Sequence, residues 1–220
     1  MISLTPDNTL WGYKLLHSEA NITHFVTHRQ GGYSTQSGYE SFNLSPYSGD
    51  DHKSVQQNKD LLFKSLNKRI EWFIQPIQTH QDIVRVIDDD FLRLSPQKQK
   101  EQLYGVDALI TNIPYCCITV ATADCVPVII YDVVNQVAAV VHSGWRGTLL
   151  RIVEKSIKQM NLHYNTDSED LKVCLGPSIS LDAFEVGSEV YNAFKNERFD
   201  VDSFSYKKPE TGKYHIDLWK

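Results

Sequence analysis

The chain has no run of apolar residues approaching the roughly 20 that span a bilayer, and its N-terminus carries no signal-peptide pattern. Neither a membrane span nor export is therefore expected. It also lacks a surplus of positive charge: 22 Lys and Arg stand against 27 Asp and Glu, a formal net charge of -5. That balance argues against a non-specific nucleic-acid coat or an anionic-membrane patch. Cysteine is sparse, with only Cys116, Cys117, Cys125 and Cys174 in 220 residues. Four such residues make no disulfide framework, so reduced thiols in the cytoplasm are expected, serving as core residues, metal ligands or nucleophiles. Repeats, low-complexity tracts and Pro/Gly-rich hinges are absent too, which leaves no reason to divide the chain into two domains. What remains is ordinary globular composition, 41% hydrophobic and 22% charged, with enough apolar material for a core.

The patterning that is present is mixed. Ile22 to Thr27 reads as a short strand, and RQGGYSTQSGYESFNLSPYSGD after it reads as a long loop, rich in Gly, Ser, Tyr and Asn. Loops of this length in compact domains are usually functional or disordered, and the aromatic residues favour function. Lys53 to Leu66 places Val55, Leu62, Phe63 and Leu66 on one helical face. Ile83 to Ile87 reads as a strand and Phe91 to Tyr104 as a polar surface helix. Three apolar runs follow, CCITVATADC, VPVIIYD and QVAAVVHSG, whose β-branched content suits strands buried on both faces. Leu149, Leu150, Val153, Ile157 and Met160 keep helical spacing, Leu171 to Leu175 forms another strand, and Ser188 to Phe199 another helix. Strands and helices do not alternate strictly. The expected fold is therefore α+β, a single domain with a large mixed β-sheet flanked by helices.

Polar residues stand where apolar runs stop. His80 closes EWFIQPIQTH, Cys125 closes ITVATADC, and His142 closes VAAVVH. Two imidazoles and a thiolate suit Zn²⁺ and also copper. Three protein ligands with an open fourth position describe a catalytic zinc site, where a bound water's pKa falls to about 7. The gaps between the three are long and lack zinc-finger spacing, so spacing alone leaves satisfied core or surface histidines and a buried thiol as the alternative. Asp124 can orient a ligand, act as a general base, or simply end a strand. Arg146, in Gly144-Trp145-Arg146-Gly147, can hold an anionic group or sit in a surface ion pair. Trp145 can stack on a base or support the turn.

Taken as an ordered set, THRQGGYSTQSGYESFNLS, QPIQTHQDIVRV, VDALIT, ATADCVPVIIYD, AAVVHSGWRG and LGPSISLDAFEVGSEV resemble the YfiH-like family, also called the bacterial laccase-domain or polyphenol oxidase family. The resemblance runs from about Thr27 to the C-terminus. It implies that His80, Cys125 and His142 are zinc ligands at one pocket. It also implies phosphorolysis of purine nucleosides (adenosine, inosine, methylthioadenosine), with adenosine deamination beside it. Family members usually continue past KYHIDLW, so residues 1–220 are expected to form one such domain without the family's usual C-terminal segment.

The residues bear differently on the labels the family has carried. Multicopper oxidases hold a trinuclear cluster with many imidazoles in His-x-His pairs, whereas this chain has eight His and no such pair. One copper at His80, Cys125 and His142 remains open, and with it a laccase-like polyphenol oxidase activity. Deamination by a zinc site with His and Cys ligands has precedent, but the H-x-E and P-C-x-x-C signature is absent. Phosphorolysis needs an anion site, for which Arg29, Arg146 and the Gly31-Gly32 backbone are candidates, while Asn43 and Gln78 are candidates to read the nucleoside. A metal-free Cys-His hydrolase using Cys125 with His142 or His80 is the second alternative, and a non-enzymatic metal- or partner-binding module a third. The expected partners are a small-molecule nucleoside and phosphate, with no nucleic acid and no membrane, in a monomer or small homo-oligomer.

Overall fold

The computed structural model describes residues Met1–Lys220. The β-branched runs form a five-stranded sheet ordered Leu171–Leu175, Val126–Asp132, Val137–Ser143, Val106–Thr111, Ile83–Val86. Neighbours are antiparallel except Ile83–Val86 and Val106–Thr111, which run parallel. Smaller sheets and several helices surround this one, so the mixed α+β class expected from the pattern is the one observed.

Alternation organises the sheet. Val126, Val128 and Ile130 are buried between half-buried Pro127 and Ile129, and Val137, Ala139 and Val141 repeat the pattern on the next strand. These side chains meet Ile152 and Met160 of the helix Ile152–Tyr164 to form the largest core cluster. Truncating Ile130, Ile152 or Met160 to alanine costs about 2 to 5 kcal/mol. The connection between the two strands is set by Asp132, whose carboxylate accepts from the N–H groups of Val134 and Asn135. This turn fixes the register at Val126↔Ser143 and Pro127↔His142. Cys125 therefore emerges just past the pairing, at the same end of the hairpin as His142.

Several expected elements are shorter or broken. The Ile22 to Thr27 strand reduces to Val26–Thr27. The Phe91 to Tyr104 helix is two, Asp89–Leu92 and Pro96–Leu103, because Pro96 starts a new helix under a Ser95 cap and disfavours helical geometry at the residue before it. The helical run after Gly144 also divides, into Trp145–Leu149 and Ile152–Tyr164, at Arg151 with φ +59°. CCITVATADC is strand only over Cys116–Ile118, and residues 119–125 form a loop. The last helix stops at Asn196 rather than Phe199. No helix is long and apolar enough to cross a membrane.

The long Gly/Ser/Tyr loop is irregular, as expected, but its anchor is a residue outside it. The helix His52–Leu66 buries Asn58 completely beside Val55 and Leu62. Its amide oxygen accepts from the Tyr33 N–H at 2.6 Å, and its NH2 group faces Ser34 Oγ and the Ser41 and Asn43 carbonyls at 2.8–3.1 Å. Gly32 passes so close that a Cβ there would lie 2.2 Å from the Ser41 carbonyl oxygen. A side chain at position 32 would push the loop off its anchor.

Two outcomes follow from this packing. Asn58→Ala strands the buried Ser34 hydroxyl and three part-buried backbone groups and is expected to lower stability by about 2 to 4 kcal/mol in urea denaturation; a loss under about 0.5 kcal/mol would show that the loop does not depend on it. Buried His24 accepts the Tyr13 N–H on Nε2 at 2.7 Å, and burial, then the nearby His17, holds its imidazole below the ordinary value. Stability from His24 is thus fully present above about pH 6.5 and declines as pH falls through the lowered folded value. His24→Gln should flatten that decline in denaturation midpoints measured across pH 5 to 8.

Candidate metal centre

His80, Cys125 and His142 come from three separate segments, yet one ligand atom from each lies within 4.8 Å of the other two. The His80 and His142 rings meet edge to face, centroids 4.8 Å apart at 78°. His142 is 3% exposed at the closed end, Cys125 is half-buried, and His80 is on the surface. Two nitrogen donors and one sulfur around a point open to solvent on one side is a donor set that fits a single borderline-soft ion with a free coordination position.

Each side chain is placed for a traceable reason. The hairpin register carries His142 and Cys125 to one end of the sheet. His80 sits on the turn Thr79-His80-Gln81 with φ +61°, a left-handed conformation that costs a non-glycine residue roughly 1 to 2 kcal/mol. The turn is held by Asp107, fully buried in the strand Val106–Thr111. Asp107 Oδ2 accepts from the Thr79 and Gln81 N–H groups at 3.2 and 2.9 Å, and Oδ1 from the His80 N–H at 3.1 Å. Oδ1 also stands 2.7 Å from His142 Nδ1. Burial works against the charge on Asp107, but the bonds from His142 and the turn amides bring its pKa below the usual carboxylate value. His142 also resists charge through burial, yet its hydrogen bond with Asp107 and the neighbouring Cys125 prevail and raise it to about 9. Burial, His142 and Arg146 keep His80 below the ordinary imidazole value, against the pull of Asp107.

A Cβ on Gly144 would lie 2.9 Å from Cys125 Sγ and 3.4 Å from a carbon of the His80 ring, so the glycine makes room for the cluster. Trp145 is half-buried and packs against the cluster of Val186, Val190, Phe194 and Ile216, which makes it the support of the turn. Arg146 is exposed, with its guanidinium 4.2 Å from the Trp145 ring centre and no carboxylate paired with it.

The remaining candidates separate into two groups. Gln78 is clamped to the 119–125 loop, its Nε2 donating to the Ala121 carbonyl and its Oε1 accepting from the Ala121 N–H, both at 2.8 Å. Arg29, Asn43 and Asp124 line a cavity of about 1330 Å³ whose walls do not include the three cluster residues. Asn43 is committed within its own loop to Ser48, Asp50 and the Ser45 N–H. Arg29 Nε donates to the Glu40 carbonyl, and Asp124 is exposed. Among the other thiols, burial raises Cys116 to about 11 and Cys117 to about 12, which leaves them unreactive near neutrality. Asp107 escaped the sequence reading, although a single carboxylate inside the apolar strand VDALIT was a signal for it.

Residues 23–220 match the family model described as multi-copper polyphenol oxidoreductase laccase. A purine nucleoside phosphorylase of Bacteroides thetaiotaomicron is 48% identical over 220 residues, covering 100% of this chain and 81% of that protein. An adenosine deaminase from an unknown prokaryotic organism is 39% identical over 183 residues, covering 83% of this chain and 70% of the other. The solved structure of a Bacillus licheniformis hypothetical protein, YfiH, superimposes with a TM-score of 0.78 at 24% identity, over 89% of this chain and 73% of that one.

Gly144→Ala is expected to displace Cys125 or His80 and to lower bound metal at least several-fold in elemental analysis, with the circular dichroism spectrum unchanged. Full metal content in a folded Gly144→Ala protein would show that the close approach at Cys125 has no bearing on the site.

Proposed function

The chain belongs to the family described as multi-copper polyphenol oxidoreductase laccase, and within it we propose that this protein is a zinc-dependent purine nucleoside phosphorylase with adenosine deamination as a side activity. The observation that carries this reading is the single compact His80-Cys125-His142 cluster. A laccase moves electrons from one copper to a separate trinuclear centre, and no second group of metal-binding side chains stands beside this one. Two relatives named for nucleoside chemistry, one of them matched over the whole of this chain, point the same way.

In the proposed reaction a phosphate oxygen forms a bond to the sugar C1′ as the bond from C1′ to the purine nitrogen breaks. The base leaves with the electron pair and takes a proton. His80, Cys125 and His142 would hold the zinc, which would supply Lewis acidity to the reaction. Arg146, exposed and with no carboxylate partner, binds phosphate or the developing negative charge. Asp124, exposed and adjacent to Cys125, is the candidate for moving the proton. Arg29 is a second candidate cationic group, in the cavity that Asp124 also lines. Asn43 and Gln78 contribute by holding the two loops in shape, since their amides are committed to protein partners. Both substrates are small and soluble, and free thiols accord with a cytoplasmic setting.

The test is chromatography of metal-quantified protein incubated with inosine or adenosine, with and without phosphate. Hypoxanthine or adenine formed only with phosphate establishes phosphorolysis, and inosine formed from adenosine without phosphate establishes deamination. Cys125→Ser should remove the metal and lower turnover by at least about 10³-fold, whereas Cys174→Ser should do neither. The proximity of Cys125 to His142 keeps one competing reading specific, a metal-free Cys-His hydrolase. Undiminished activity in chelator-stripped protein would favour that reading, and dye oxidation only in copper-loaded protein would favour the polyphenol oxidase.

A further inference from the structure

One oxygen atom touches two of the three cluster residues. Asp107 Oδ1 accepts the backbone N–H of His80 at 3.1 Å and lies 2.7 Å from Nδ1 of His142. The second oxygen takes the N–H groups on either side of His80. Three successive amides converging on one carboxylate form an anion nest, and the left-handed residue at its centre is His80 itself. The carboxylate is fully buried and no Lys or Arg pairs with it, so the turn amides and His142 are its only partners.

We propose that Asp107 is the positioning residue of the metal centre, holding His142 as the Nδ1–H tautomer and the Thr79–Gln81 turn in the shape that aims His80 at the same point. With Nδ1 of His142 spent on Asp107, Nε2 is the nitrogen left for the ion. The carboxylate also makes that imidazole a better donor, and partners of this kind govern metal affinity by about 10- to 100-fold. Asparagine is no substitute. It offers one acceptor oxygen in place of two, and its NH2 group must face either the turn amides or His142, donor against donor. A purely architectural role would leave the ligand geometry alone once the protein had folded.

This inference rests on the reading of the cluster as a metal site. It is tested with Asp107→Asn and the native protein, both loaded with Zn²⁺ and Co²⁺. Affinity would be measured by competition with a chromophoric chelator, and coordination from the visible Co²⁺ spectrum. The folded variant should bind Zn²⁺ about 10- to 100-fold more weakly, with a Co²⁺ spectrum shifted away from the native one. Equal affinity and an identical spectrum would overturn the positioning role while leaving the metal site standing. No uptake of either ion by the native protein would overturn both. Should Asp107→Asn fail to fold, nitrogen NMR of histidine-labelled native protein loaded with ¹¹³Cd decides: coupling through Nε2 of His142, with a proton on Nδ1, is expected. Coupling through Nδ1 would overturn the assignment.

Discussion

The structure depends first on the antiparallel pairing of Val126–Asp132 with Val137–Ser143. That register decides which side chains enter the main core and which end of the hairpin carries Cys125 and His142. A slip of one residue would turn Val128, Ile130, Ala139 and Val141 out of the core and move His142 to the other face. Core and cluster are thus consequences of one choice, and the apolar pattern that stabilises the fold also assembles two of the three candidate ligands. The third arrives by a different route, through a polar contact between neighbouring segments.

That polar contact is a buried anion. A carboxylate inside an all-buried strand is costly unless fully hydrogen-bonded, and Asp107 meets that condition only because the His80 turn and His142 both reach it. Elsewhere the same logic holds the loop of residues 28–51. Buried Asn58 gathers its backbone groups as Asp107 gathers those of the His80 turn. Two irregular segments are therefore ordered by single buried polar side chains on regular elements, which is how a loop becomes precise enough to carry chemistry.

Much of the architecture was legible in the sequence where periodicity was strong. The hairpin strands, the edge strand Leu171–Leu175 and the helix from position 53 to 66 follow from apolar spacing, and the mixed class followed from their order. Backbone punctuation was less legible. Pro96 and left-handed Arg151 each divided a helix that side-chain spacing alone would run through. Residues 119–125 look like a strand by composition but are held by the Gln78 amide instead of a ladder. Spacing could not bring His80, Cys125 and His142 together, since 45 and 17 residues separate them; the family resemblance suggested it and the geometry agrees. Asp107 was hidden because a polar residue in VDALIT acquires meaning only once partners 26 to 35 residues away are known.

The long separation between His80 and His142 bears on the order in which the protein is made. An unfolded chain offers a metal ion two donors 62 residues apart, and closing so long a loop around one atom has a large entropic cost. The sheet removes that cost, because the strand bearing Asp107 lies between the two histidines in sequence and joins them in space. The folded chain thus presents its three candidate donors as a finished receptacle, and an ion taken up there would reflect supply in the compartment as much as the donors themselves.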